Sequence, residues 1–177
     1  PLLSLLKPER QRQMVASLMH GYRAGTVLPK GPMSGFHIIP ILLDAAVKET
    51  TDWDVKQLFE ASLALWRSYR SNSFLNDYLE NGFVDASQER SVSITSELAY
   101  NDWCLARLAV LAGQPDEAQL HAIRSFSYRN LLDTETGFLL PRNKDTFLKS
   151  AGELGYQESN KWTASFFAPH NVNDLIN

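Results

Sequence analysis

The sequence predicts an all-α fold. Apolar residues recur at helical spacing along most of the chain, and Gly and Pro punctuate the intervals between those segments. No segment of comparable length alternates apolar and polar residues as a half-buried strand would. Between Glu9 and Ala24, Met14, Val15, Leu18, Met19 and Tyr22 recur at helical spacing, and Gly25 follows as a stop. The stretch TVLPKGPMSG carries two prolines and two glycines and reads as a loop. HIIPILLDAAVKET then resumes helical spacing, with Pro40 near its first turns, where a proline is tolerated. Thr51 and Asp52 offer N-caps for DWDVKQLFEASLALWRSYR, in which Val55, Leu58, Phe59, Ser62, Leu63 and Trp66 share a face. A shorter helix is expected over Phe74 to Glu80, before Asn81 and Gly82 break the chain and the polar stretch FVDASQERSVS follows.

Ser91 or Ser93 is the expected cap of the next helix. Its second half, WCLARLAVLAG, is apolar almost all round, with Arg107 as the charged interruption, so that helix should be enclosed on both sides. Gly113 ends it, and Pro115, Asp116 and Glu117 open another helix expected to run through Leu132. Short connections, with one partner enclosed and the next amphipathic, describe layered antiparallel helical hairpins such as a toroid or a solenoid. The chain has no exact internal repeat and no low-complexity tract, which favours the toroid.

At 177 residues and 44% hydrophobic content the chain can bury a real core, which predicts one domain or a large piece of one. Seventeen basic and 20 acidic side chains give a net charge of −3, and no run of Lys or Arg could neutralise several phosphates, which argues against nucleic acid. The longest apolar stretch, Phe36 to Val47, is interrupted by His37, Pro40 and Asp44, so no membrane span is expected. A single cysteine, Cys104, excludes an intrachain disulfide framework and reads as a core residue beside Trp103, Leu105 and Leu108. PLLSLLKPER has neither a basic leader nor a cleavage-like site, and APHNVNDLIN resembles the opening of another helix. The expectation is one partial domain over residues 1–177, truncated at both ends and without an internal boundary.

The most informative stretch is Tyr156 to Asn173, YQESNKWTASFFAPHNVN. It sets Glu158 among Tyr156, Gln157, Asn160, Trp162, Phe166, Phe167 and His170, a mixture of flat apolar faces and hydrogen-bonding groups. Aromatic faces stack on the apolar side of a pyranose while amide and imidazole groups bond its hydroxyls, so carbohydrate is the first ligand class to test.

Four strings, in order, resemble glycoside hydrolase family 92: PMSGFHIIPILLDAAVKET, SVSITSELAYNDWCLARLA, RSFSYRNLLDTETGFLLPR and YQESNKWTASFFAPHNV. The resemblance implies part of an (α/α)6 toroid or barrel from a calcium-dependent, inverting exo-α-mannosidase acting on mannose-containing glycans. It implies Glu158 as the general acid that protonates the glycosidic oxygen, with Trp162 and Phe166 supplying the desolvation that raises its pKa. The general base and the calcium ligands are expected outside this chain, so residues 1–177 alone should not hydrolyse a mannoside. The resemblance also implies a secreted or periplasmic protein.

Among the remaining candidates, Met33, Gly35 and His37 fit a family signature at the mouth of a barrel helix. His37 is there either a sugar contact or a histidine satisfied by neighbouring backbone. Asp102, with Glu97 and Trp103, matches a second string and is a substrate-binding candidate, although carboxylates on an enclosed helix more often pair with arginine, here Arg107 or Arg124. Arg124, Tyr128, Asp133 and Gly137 read as structural, and Asn160, Trp162 and His170 as substrate-binding. Ser159, Lys161 and Asn171 depart from the family pattern, as do a missing tryptophan and Pro-Phe-Asp-Pro run between Arg142 and Tyr156 and a short loop after Gly25. Those departures motivate an alternative: a degenerate, non-catalytic helical toroid that binds glycan or protein. A different (α/α) barrel enzyme acting on another sugar is a third reading.

Overall fold

The computed structural model describes residues 2–29, 33–70, 72–150 and 152–176. Lys30, Gly31 and Pro32 of the expected proline–glycine loop lie outside the described residues. The order is α1 (Leu2–Leu6), α2 (Pro8–Arg23), α3 (Ile38–Val47), α4 (Val55–Ser68), α5 (Ser73–Asn81), α6 (Ser91–Leu111) and α7 (Pro115–Arg124). A short 3-10 helix (Ser127–Leu131), β1 (Leu132–Asp133), β2 (Phe138–Leu139), α8 (Lys161–Ala164) and α9 (Val172–Ile176) follow. The described residues are thus mostly helical, with one two-stranded sheet. None of their helices is long and apolar enough to cross a membrane. The chain gathers into two compact units, Pro1–Tyr69 with Cys104–Ala122, and Arg70–Trp103 with Ile123–Asn177.

In the first unit, Pro8 opens α2, where its missing N–H costs no helical bond, and Val15 and Met19 are buried. Asp44 on α3 ties three helices together: it accepts from Ser4 Oγ at 2.7 Å and Gln11 Nε2 at 3.2 Å, and pairs with Lys48 Nζ at 2.6 Å. Partial burial pushes its carboxyl up, but the bonds from Lys48, Ser4 and Gln11 outweigh that and bring it down to about 2. The cap of α4 is neither Thr51 nor Asp52 but Asp54, whose side chain accepts from the Lys56 backbone N–H. The expected face of α4 is otherwise as read, with Leu58, Phe59, Ser62, Leu63 and Trp66 buried and Val55 half-buried. Phe36 packs its ring against Trp66 and Tyr69 at 5.5 and 5.3 Å, and Trp66 meets His121 edge-on at 5.9 Å.

Helix α6 carries buried residues on every side, among them Val92, Leu98, Ala99, Asp102, Cys104, Leu105 and Leu108, while Arg107 is exposed. It begins at Ser91 itself, and Ser93 Oγ accepts the backbone N–H of Gln157 at 2.9 Å. In the second unit Phe83, Val92, Leu131, Leu139, Tyr156 and Ala164 form a core cluster, and Ala99, Tyr128 and Ala168 form another. Helix α7 stops at Arg124 rather than running through Leu132, because the chain tightens into the 3-10 helix and then a β-hairpin. Gly137, at φ 74°, closes that hairpin: its N–H donates to Asp133 O at 2.8 Å, and Thr136 Oγ1 donates to Asp133 Oδ2 at 2.7 Å.

The segment 154–157 is pinned to the first turn of α6. Leu154 O accepts from Arg90 N–H at 2.9 Å and Gly155 O from Val92 N–H at 3.0 Å. Gly155 is required by a close approach: a Cβ there would lie 2.2 Å from Pro141 Cγ. Gly155→Ala is therefore expected to destabilise the protein by about 1–3 kcal/mol through overpacking. Gly21→Ala, on α2 with no atom within 4 Å of the added carbon, is expected to stabilise by about 0.5–1 kcal/mol. Chemical denaturation of the two variants checks this, and equal shifts would refute the close-approach account.

Candidate functional site

The stretch that singled out Glu158 lies in the second unit and starts from a buried anchor. Tyr156 is buried, its hydroxyl donates to Leu139 O at 2.9 Å, and burial pushes its pKa up to about 12. Arg90 then donates to Gln157 Oε1 at 2.7 Å, beside the Ser93 contact to the Gln157 N–H. These bonds hold the backbone on both sides of α6's first residues and present Glu158 on a bend with φ 50°. A side chain with a Cβ occupies that left-handed region at a cost of roughly 1–2 kcal/mol, so tertiary contacts over-determine the bend.

Glu158 is exposed, and the aromatic enclosure expected of Trp162 and Phe166 is not formed within this chain: those rings are 63% and 73% exposed. The backbone also explains one departure from the family pattern. Among described non-glycine residues only Glu49, Arg90 and Glu158 have positive φ, so Ser159 stands in ordinary backbone where a side chain costs no strain.

Asn160 caps α8: its side chain accepts from the Trp162 and Thr163 backbone N–H groups at 3.0 and 3.3 Å, with Thr163 Oγ1 completing a capping box. Its amide oxygen is therefore committed to backbone, while its amide nitrogen has no bonded partner among the described residues. Trp162 is held edge-on to Phe138, with ring centroids 4.6 Å apart, and Lys161 Nζ lies over the Phe138 and Trp162 rings at 5.1 and 5.9 Å. Tyr156, Asn160 and Trp162 all line a cavity of about 240 Å³, which Glu158 does not line.

His170 is placed in an aromatic nest. Its ring lies 6.0 Å from Tyr100 in a stacked arrangement, 6.2 Å from Trp103, and 5.6 Å from Tyr128 edge-on. Nε2 is 2.9 Å from Ser125 O, and since a carbonyl only accepts, Nε2 carries the proton of the neutral ring. Nδ1 is buried without a partner among the described residues. Burial lowers the His170 pKa, against opposing contributions from the Ser125 bond and the Asp102 charge. Asn171 donates to the Tyr128 hydroxyl at 2.9 Å, and that hydroxyl donates to Asp174, which also pairs with Arg129.

Asp102 is fully buried and accepts the Tyr78 hydroxyl at 2.6 Å, which drives the Tyr78 pKa well above its ordinary value through burial and the adjacent carboxylate. Arg107, one of the two expected arginine partners, is exposed. His37 immediately precedes α3 in the first unit, exposed and without a side-chain capping bond. The sequence did not single out Tyr78, Tyr100, Phe138, Lys149 or Glu153. The i, i+3 pair Tyr100 and Trp103 on one helix face was a readable signal, whereas Lys149 and Glu153 sit in a loop with no periodicity to betray them.

Residues 1–177 match the family described as glycosyl hydrolase family 92 catalytic domain. A solved family GH92 alpha-mannosidase from Bacteroides thetaiotaomicron, in complex with mannoimidazole, superposes with a TM-score of 0.89 and 25% identity, covering 100% of this chain and 26% of its own. The family GH92 inverting mannosidase of strain VPI-5482 of that organism gives 0.83 and 26%, covering 99% of this chain and 27% of its own. A protein of Arthroderma benhamiae described as an uncharacterized secreted glycosidase is 28% identical over 172 residues, 77% of this chain and 20% of that protein. The chain thus spans between a fifth and just over a quarter of the relatives it matches.

One mostly buried carboxylate in this unit has no bonded partner among the described residues. Glu97, mostly buried on α6, has its pKa raised by desolvation from 4.5 to about 7. The folded state thus holds a proton that the unfolded state releases, so the contribution of Glu97 to stability is complete below pH 4.5 and is lost as pH rises through about 7. Glu97→Gln keeps the shape and removes the titration. Its stability relative to the native protein is expected to rise steadily from about pH 4.5 to about pH 7 in urea melts, and a pH-independent difference would rule this out.

Proposed function

Because this chain belongs to glycosyl hydrolase family 92, we propose that it is part of an inverting exo-α-mannosidase that removes terminal α-linked mannose from glycans, with Glu158 as general acid. The observation that carries this reading is a bonded frame, Tyr156 to Leu139, Gln157 to Ser93 and Asn160 capping α8, that fixes an exposed carboxylate within the family's Tyr156–Trp162 string. Solved relatives, one described as an α-mannosidase and another as an inverting mannosidase, support the substrate class and the stereochemistry.

In this reading Glu158 donates its proton to the departing glycosidic oxygen while a carboxylate beyond this chain deprotonates water on the opposite face, about 6.5–9.5 Å away. The apolar surroundings that suit a general acid are completed in this reading when bound glycan and the remainder of the catalytic domain cover Trp162 and Phe166. The helical hairpins form part of an (α/α)6 barrel, as one partial domain over residues 1–177, and His37, Asp102, Asn160, Trp162 and His170 are its substrate-binding candidates. Calcium belongs to the longer protein in this reading, with its ligands outside this chain. Secretion follows the relative described as secreted. Residues 1–177 alone, without the base, should not turn over a mannoside.

The exposure of Glu158 favours a second reading, a non-catalytic toroid that binds glycan or protein. Kinetics on the intact protein separate the two. Glu158→Gln is expected to lower kcat/KM on alkyl mannosides by about 10²–10⁴-fold. Its effect on aryl mannosides with good leaving groups should be far smaller, because they depart without full protonation. Equal losses on both classes would remove Glu158 from the acid role, and no turnover by the native protein would favour the binding reading.

A further inference from the structure

The cavity beside α8 is built by a loop that the reading of Glu158 does not use. Lys149 and Glu153 come from the segment after β2, and Tyr156, Asn160, Lys161 and Trp162 from the Glu158 stretch. Its volume of about 240 Å³ falls below the roughly 300–1,000 Å³ of ordinary small-molecule sites, which limits the occupant to one ring-sized unit. Trp162 gives it a largely exposed indole whose orientation is preset by Phe138. Polar groups are present in both senses. The Asn160 amide N–H groups and Lys161 Nζ donate, and the Glu153 carboxylate, with no bonded partner among the described residues, accepts. Sugar hydroxyls need this mixture because each both donates and accepts.

Charge separates neutral from anionic sugars. Lys149 is already paired with Glu135 and with Asp133, the latter at 3.8 Å, which leaves Lys161 and Glu153 as the lining charges without an ion partner among the described residues. Those two charges are opposite and offset one another, so a phosphorylated or acidic sugar gains no net attraction there.

We propose that this cavity is a carbohydrate subsite separate from the Glu158 carboxylate, binding one neutral hexose unit by stacking on Trp162 and by hydrogen bonds to Glu153, Asn160 and Lys161. The assignment rests on the reading of the ligand as a mannose-containing glycan. It gives the loop before Tyr156 a role in holding a sugar away from the bond that is cleaved.

The test is calorimetric titration of the intact protein carrying Glu158→Gln, with methyl α-D-mannopyranoside and with mannose 6-phosphate. Saturable binding of the neutral sugar is expected, weakened about tenfold by Trp162→Ala and about threefold by Glu153→Ala, with the phosphate binding no more tightly. Trp162 and Glu153 are exposed, so both variants should keep the native melting temperature within about 2 °C. Unchanged affinity in both variants, or tighter binding of mannose 6-phosphate, overturns the subsite. Turnover of an aryl mannoside by the protein with native Glu158 is measured alongside. Turnover with no effect of either variant on binding defeats the subsite alone, whereas absence of both turnover and binding defeats the glycosidase reading and the subsite with it.

Discussion

The candidate site depends on one constraint: the segment that carries Glu158 is fastened to the first turn of α6. Backbone bonds from Arg90 and Val92 to Leu154 and Gly155, followed by the side-chain contact of Ser93 to Gln157, leave that segment little freedom. The first turn of a helix has N–H groups with no helical partner, and here one of them, on Val92, is answered by a distant loop. Tyr156 completes the attachment from below, buried in the cluster with Val92, Leu131 and Leu139. Only with both attachments in place can Glu158 hold a left-handed backbone that an isolated peptide would avoid.

Buried polar groups do similar work elsewhere. Asp44 gathers α1, α2 and α3 around one carboxylate, and Asp102 receives the Tyr78 hydroxyl inside the second unit. A carboxylate in the interior is costly unless it is bonded, and bonded it selects one arrangement of the helices that supply its partners. Glu97 is the exception: without a bonded partner among the described residues, it meets the same cost by remaining protonated to about pH 7.

Much of the helical order was readable because its cause is local. Residues Met14 to Tyr22, Leu58 to Trp66 and Trp103 to Leu111 carry the spacing that an i to i+4 bonded backbone requires, and each lies in a helix. The errors fell where several local choices compete. Asp54 captured the cap of α4 although Thr51 and Asp52 offered the same chemistry, and the stretch after Arg124 left the α-helix for a tighter turn and a hairpin of two-residue strands. Asn160 carries two patterns at once, since an asparagine three residues before a threonine is also a capping pattern, and here the cap claims the amide oxygen.

The sequence by itself determined an all-α chain, the enclosure of α6, the core position of Cys104 and the prominence of Glu158 among groups suited to sugar. Only the tertiary structure decided that Glu158 stands exposed on a left-handed bend, that Asp102 serves Tyr78, and that Lys149 and Glu153 join Trp162 around a cavity. The division has a physical origin. Helices arise from bonds between residues four apart, which a linear pattern records, whereas His170 meets Ser125 across 45 residues and Tyr78 meets Asp102 across 24. Partners that distant are chosen by the packing of whole helices, and no pattern within either segment announces them.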